Sequence, residues 1–326
     1  MKKRIKGLLI GCAYGDALGM PSEMMSRETL NKAFPDGVHD FLESTPYDFI
    51  GRSFQRGEVT DDTINTLLVC DCIIENNGQF CTNRYIELLQ NWVKENGDKN
   101  PYIMGPSTTK ALNAIANGAP IGESGKFGTT NGSAMKVSPL GIITDYHNLD
   151  ELVKTVEKLC LPTHNTNIAI TGASIIAAIS SYVLRGGKDI EELWNISYQT
   201  IEAAKGYGND LPGASMKRRL EILQNLIKTK TQEVVLDEIE NVYGASMETI
   251  ETVPTVLALI TLSQFDPIKC ARLSANLSGD TDTIGAIATA ICGAVNFNFT
   301  QEDITLLEQV NNVDFESYAD KLVKFM

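Results

Sequence analysis

The stretch Ser278-Gly279-Asp280-Thr281-Asp282-Thr283-Ile284-Gly285-Ala286 sets two carboxylates and two hydroxyls within four residues, at the entrance to a small-residue apolar run, IGAIATAICGAV. Far upstream, Thr60-Asp61-Asp62-Thr63 opens onto an apolar segment in the same way. Asp and Thr are favoured helix N-caps, because their oxygens accept the free amides of a first turn. One such residue per helix meets that need. Here Asp61 and Asp62 are adjacent, and Asp280 and Asp282 stand two apart. The extra carboxylates repel each other when buried and lose hydration, and a bound cation removes that conflict. Carboxylate and hydroxyl oxygens are hard ligands, suited to Mg²⁺, Mn²⁺ or Ca²⁺ and poorly suited to copper or structural zinc. The spacing is not that of an EF-hand, whose ligand series ends in Glu. Four carboxylates and two hydroxyls crowd one ion and suit two that share them. Such a pair can position a diol and make a water a better nucleophile.

The elements that must position these clusters follow the helical period. Ile5, Leu8, Leu9, Cys12 and Ala13 form a stripe of a first helix, and Gly7, Gly11, Gly15 and Gly19 recur every four residues on one face. Glycine lowers helix stability, so the row predicts close backbone approach by a neighbour. Residues 20–59 carry the breakers PS, PDG, TPYD and GRSFQRGE and read as irregular; a loop that long is usually functional. Helices are expected from Ile64 through Cys72, around Tyr85 to Val93, and over 107–117, 149–160, 164–185, 189–204, 214–228 and 231–243. A second glycine-rich loop spans 118–132. Thr252-Val253-Pro254 and Asp266-Pro267 read as helix starts with proline in the first turn. The acidic GDTDT helix and two short helices complete the chain. Strand-like alternation is nearly absent and no linker interrupts the pattern. The expectation is an all-α, compact many-helix bundle forming a single domain over residues 1–326.

With 326 residues, 43% of them hydrophobic, the chain can bury a large core. A net charge of −13 argues against a nucleic-acid partner held through a basic face. It leaves room for a phosphate-bearing small ligand, since metals and helix N-termini supply local positive field. The seven cysteines are odd in number and scattered, without a CxxC pair, which points to free thiols and a cytoplasmic location. The opening MKKRIKGLLIGCAYGDALG superficially resembles a signal peptide, but Gly15-Asp16 interrupts its apolar run, and it reads as the first core helix. No apolar run approaches membrane-spanning length, so no membrane partner is expected. Oligomeric state is left open.

Together, Thr60-Asp61-Asp62-Thr63 and Gly279-Asp280-Thr281-Asp282-Thr283-Ile284-Gly285 resemble the signature of the ADP-ribosylglycohydrolases, an all-α family that includes the dinitrogenase-reductase-activating glycohydrolase. Three further segments match in order: Gly15-Asp16-Ala17-Leu18-Gly19 followed by Glu23, Asn131-Gly132-Ser133-Ala134-Met135-Lys136, and Thr163-His164 before a small-residue helix. The matched segments run from residue 5 to about residue 295.

The resemblance implies two Mg²⁺ (or Mn²⁺) ions held by Thr60, Asp61, Asp62, Asp280, Asp282 and Thr283, with the ribose of an ADP-ribosyl group above them. It implies that Gly128, Thr129, Thr130, Asn131 and Gly132 approach the phosphates or ribose with backbone amides, and that His164 contacts the ligand. The reaction so implied is hydrolysis at the anomeric carbon, through a transition state with oxocarbenium character. A general base for the water comes from Asp61 or Asp62, with Glu23 the other candidate. Lys136 stands where many relatives have Arg, Ser278 replaces a frequent Gly, and Asn165-Thr166-Asn167 follows His164. These departures bear on substrate, not on the metals. The attached atom stays open between an arginine nitrogen, a serine oxygen and a small molecule's nitrogen. A hydrolase of another small ribosylated metabolite, a non-enzymatic crystallin-like relative and a metallophosphatase are the alternatives.

Overall fold

The fold rests on a glycine seam between the first helix, Lys2–Gly19, and the acidic helix, Thr281–Val295. A Cβ added at Gly7, Gly11, Gly15 or Gly19 would lie 2.1, 2.3, 2.0 or 2.4 Å from the carbonyl oxygens of Gly293, Thr289, Gly285 and Thr281, respectively. The pairing runs downward in one helix as it rises in the other, so the two are antiparallel. Gly285 and Gly293 return the contact against the carbonyls of Gly15 and Gly7. The four-residue glycine row of the sequence is thus one half of a backbone-to-backbone interface. Its consequence is positional: the C-terminal end of the first helix, with Asp16 and then Glu23, is fixed beside the N-terminal end of the Asp280–Thr283 segment.

The computed structural model describes residues 1–48, 51–96 and 104–326. Among them lie seventeen α-helices and no strand; the extended pairings are isolated bridges at Met25–Gly279, Thr130–Glu248 and Thr166–Asn209. The architecture is an all-α, compact many-helix bundle. At its centre the Asn167–Leu184 helix packs against the helices Leu140–Ile143, Leu149–Cys160, Ile190–Ala203, Thr249–Ser263 and Thr281–Val295. The expected segments at 149–160, 164–185, 189–204 and 214–228 form as Leu149–Cys160, Asn167–Leu184, Ile190–Ala203 and Met216–Thr229. Asp266 caps the Pro267–Ala275 helix as its Asp-Pro pair predicts, accepting from the amides of Ile268 and Lys269.

Four expectations need correction. The irregular 20–59 segment contains a helix, Arg27–Ala33, capped by Ser26 through the Thr29 amide. Pro254 does not open its helix but sits inside Thr249–Ser263. As sixth residue it falls just past the turn whose amides are free anyway, and the buried apolar face outweighs one missing bond. The 231–243 segment divides into the helix Gln232–Glu238 and a π-turn, Ile239–Tyr243, ended by Gly244 at φ +82°. Finally, the Asn167–Leu184 helix is long and apolar enough to cross a membrane by length and composition, contrary to the expectation that no run approaches that length; 83% of it is buried inside the molecule, so it is packed here as a core helix.

Candidate functional site

Thr60 and Asp280 flank the two acidic helix starts, and the structure brings these starts into direct contact. Thr60 Oγ1 and Thr283 Oγ1 each donate to Asp62 Oδ2 at 3.1 Å, the second bond joining residues 221 apart in the chain. Oxygens of Glu23, Asp280 and Asp282 lie within 4.8 Å of one another. Glu23, Asp61, Asp62, Asp280, Asp282 and Thr283 line one cavity of about 80 Å³, with Thr130, Asn131, Gly132, Met135, His164 and Met247 on its other walls. A larger cavity of about 690 Å³ lies between residues 167–171 and 201–217; it gathers no comparable set of carboxylates.

Capping does not account for these acids. Thr60 caps the Asp61–Glu75 helix by accepting from the Asp62 amide. Asp16, reaching across from the first helix, takes the Thr60 amide at 3.0 Å, the Thr63 amide at 3.0 Å and the Thr63 hydroxyl at 2.6 Å. At the other helix, Asp280 makes no side-chain cap bond; its Oδ2 accepts from Asn131 Nδ2 at 2.5 Å. Asp62 Oδ1 is buried and, among the described residues, meets no hydrogen-bond donor. Gly279, at φ +97°, lets the chain turn into this helix where a Cβ would meet the Ala245 carbonyl at 2.2 Å.

The electrostatics follow from crowding. Burial first, and then the charge of Asp282, push the Asp16 carboxyl up to about 7 and that of Asp61 up to about 6. The same two causes, in the same order, raise Glu23, Asp62 and Asp280 well above the usual carboxylate range. Asp282 is thus the charge that every other acid of the cluster faces. Two buried cations flank the group. Arg52 Nη1 lies 2.5 Å from Glu23 Oε2. Lys136 is fully buried on the Asp61 and Asp62 side, with no hydrogen-bond partner among the described residues; burial pulls its ammonium down to about 8. Surplus hard oxygens, one of them a buried carboxylate oxygen left without a donor, fit a divalent cation better than they fit one another.

His164 is buried between two hydroxyls: Nδ1 is 2.7 Å from Thr163 Oγ1 and Nε2 is 3.0 Å from Thr130 Oγ1. Thr130 Oγ1 donates to Ser107 Oγ, so it accepts from His164, which places the ring proton on Nε2. Burial and then Lys136 hold His164 well below its usual pKa, and hence neutral. Of the loop Gly128–Gly132, the cavity is lined by Thr130, Asn131 and Gly132 and not by Gly128 or Thr129. The Gly128 and Asn131 amides are already bonded to the carbonyls of Gly125 and Met247, and Thr129 gives its carbonyl to the Thr249 amide. An anion cradle made of all five amides is therefore not what this loop offers. Asn131 works through its side chain, which donates to Asp280 and to Thr252 Oγ1.

Sequence reasoning missed Asp16 and Arg52 as parts of the site. A carboxylate breaking the glycine-rich apolar helix was a signal for the first. Arg52, one arginine in a loop full of breakers, left none.

Comparison with known proteins gives a consistent answer. The ADP-ribosylglycohydrolase family pattern matches residues 1–324. The chain is 36% identical to the uncharacterized protein YegU of Escherichia coli K12, covering 99% of this chain and 97% of that one. It is 25% identical to the ADP-ribosylhydrolase ARH3 of Xenopus tropicalis (98% and 94% covered) and 24% identical to the ADP-ribosylarginine hydrolase Tri1 of Pseudomonas putida (90% and 70%). Among solved structures, one titled an ADP-ribosylglycohydrolase-related protein complex superposes with a TM-score of 0.70 at 21% identity, over 99% of this chain and 98% of that one.

Proposed function

The chain belongs to the ADP-ribosylglycohydrolase family, and from that premise we propose that it hydrolyses the glycosidic bond of an ADP-ribosyl group at a site for two Mg²⁺ or Mn²⁺ ions. The observation that carries this reading is the convergence of the two acidic helix starts on Asp62, with surplus carboxylate oxygens that capping leaves unused. Thr60, Asp61, Asp62, Asp280, Asp282 and Thr283 would hold the ions. When bound, they supply the positive charge that fixes a sugar diol and acidifies water.

The remaining roles belong to the chain's own groups. Asp62 would ligate through Oδ1, which is buried without a donor among the described residues, while its Oδ2 accepts two threonine hydroxyls. Asp61 shares that helix turn and joins it. Glu23 lines the same cavity, with an oxygen within 4.8 Å of oxygens of Asp280 and Asp282, within reach of a water that attacks a sugar held there, and is the candidate for the base that takes its proton. Neutral His164, with its Nε2 proton, and Asn131 shape the wall on which the ribose rests.

The test pairs binding with turnover. Calorimetric titration with Mg²⁺ and Mn²⁺ is expected to show binding to the native chain and none to Asp282→Ala, whose circular dichroism stays native. Hydrolysis of ADP-ribosyl-arginine, ADP-ribosyl-serine and free nucleoside-type substrates is then compared; the substrate cleaved names the attached atom. An Asp282→Ala chain that keeps full metal occupancy and activity refutes the proposal.

A further inference from the structure

Three consecutive carbonyls just before the Thr249–Ser263 helix each hold a different segment of the chain at the acidic site. The Ala245 carbonyl accepts the Asp280 amide at 2.7 Å, the Ser246 carbonyl accepts the Thr252 hydroxyl at 3.0 Å, and the Met247 carbonyl accepts the Asn131 amide at 2.7 Å. Asn131 and Asp280, 149 residues apart, are thereby set side by side. Their side chains close the arrangement. Asn131 Nδ2 donates to Asp280 Oδ2 at 2.5 Å and to Thr252 Oγ1 at 2.8 Å. Asn131, Thr252 and Asp280 are all buried.

The protons fix the sense of this chain of bonds. A hydroxyl has one proton, and Thr252 gives its own to the Ser246 carbonyl. Toward Asn131 it can only accept, so the amide nitrogen must face it. The second proton of that nitrogen goes to Asp280. Turned the other way, Asn131 Oδ1 would stand oxygen to oxygen against both neighbours. Asp280 depends on such a partner, because it opens the Thr281–Val295 helix without a side-chain cap bond. A carboxylate gripped by a neutral amide keeps its charge for a cation, and outer partners of this kind orient metal ligands. We propose that Thr252 is a positioning residue of the cation site: acting through the Asn131 amide, it holds the Asp280 carboxylate in the orientation that ligates. This inference rests on the metal-dependent hydrolase reading above and adds to it a residue, outside the acidic clusters, that supports one of the ligands. The hydroxyl is separable from the local fold. The same helix start is tied to the neighbouring loop by other bonds, from the Thr249 amide to the Thr129 carbonyl at 3.1 Å and from the Thr249 hydroxyl to the Thr130 carbonyl at 2.8 Å.

Calorimetric titration with Mn²⁺, in the absence of substrate, tests the proposal. Asn131→Ala removes the grip on Asp280 and is expected to weaken Mn²⁺ binding by about tenfold or more. Thr252→Val keeps the side chain's shape and loses its hydroxyl; a weakening of about threefold to tenfold is expected. Thr252→Ser, which keeps the hydroxyl, is expected to restore most of that affinity. In an Asn131→Ala background, adding Thr252→Val should cost nothing more, because the two residues act along one line. A threonine that merely supported the fold would lower affinity alike in both backgrounds. Native affinity in Asn131→Ala overturns the proposal, and does so even if Thr252→Val fails to fold. Native affinity in a folded Thr252→Val, a Thr252→Ser as weak as Thr252→Val, or a full further loss in the double variant overturns it as well. A native chain that binds Mn²⁺ while Thr252→Val binds it equally well sinks this inference alone; a native chain that binds no Mn²⁺ sinks the underlying reading and this inference with it.

Discussion

Replacing Gly15 by alanine adds one methyl group at the seam that sets the site. The new Cβ would lie 2.0 Å from the Gly285 carbonyl oxygen and 2.3 Å from its carbon. Ordinary contact begins near 3.4 Å, so the shortfall is about 1.4 Å. Both sides of the clash are helix backbone, and no rotamer change relieves it. The helices must separate or slide. Overpacking of this kind costs about 3 kcal/mol, at the upper end of the usual range. Alanine returns about 1 kcal/mol through its better helix propensity. The net loss of about 2 kcal/mol corresponds to a fall of about 3 °C in melting temperature for a chain of this size. The functional loss is expected to be larger than the stability loss. Asp282 precedes Gly285 by less than one turn, and Asp16 is the next residue after Gly15. A displacement of about 1 Å at that end misplaces ligands across the cavity and can lower turnover by about 10². The assay is a pair of measurements, thermal melting and Mn²⁺ titration, on Gly15→Ala and Gly7→Ala. Gly7 faces an equally close carbonyl, that of Gly293, but two turns further from the acids. Both variants should melt lower, and only Gly15→Ala should bind the cation markedly less well. Native melting and native cation affinity in Gly15→Ala would refute the claim that backbone contact along this seam sets the site.

Three other expectations follow from the same geometry. Asp16→Ala removes the acceptor of two amides and a hydroxyl at the start of the Asp61–Glu75 helix; a loss of about 2–3 kcal/mol is expected in denaturant titration, and an unchanged midpoint would contradict that role. In chelator, stability should decline as pH rises from 5 to 8. The folded state holds the Asp16 and Asp61 protons up to about 7 and about 6, the unfolded chain releases them near 4, and so the folded form binds more protons in that window and loses this advantage as they leave. Added Mg²⁺ should flatten or reverse the decline, and a chelated melting profile that rises with pH would show the reasoning to be wrong. His164→Ala should raise KM for the ADP-ribosyl substrate by about tenfold with a smaller change in kcat, as for a lost binding contact; steady-state kinetics showing a kcat collapse at unchanged KM would assign it to the chemistry instead.

The acidic clusters, the glycine row and the helical stripes are local patterns, and the sequence alone determined them. Capping needs one acid per helix start, so surplus acids at two starts were legible as a site; glycine every four residues was legible as an interface waiting for a partner. The family motifs carried the fold class and reaction class, because five short segments in fixed order leave little freedom. Which helix filled the glycine seam, and in which direction, was settled by tertiary structure, since antiparallel packing of Lys2–Gly19 on Thr281–Val295 joins segments from opposite ends of the chain. That packing turned Asp16 from a break in an apolar run into an acceptor for two amides at the start of a third helix, Asp61–Glu75. It also set Glu23 where Arg52 could reach it. Charge pairs of this kind depend on where a loop returns in space, and a spacing of 29 residues through irregular chain carries no period from which a sequence could announce it.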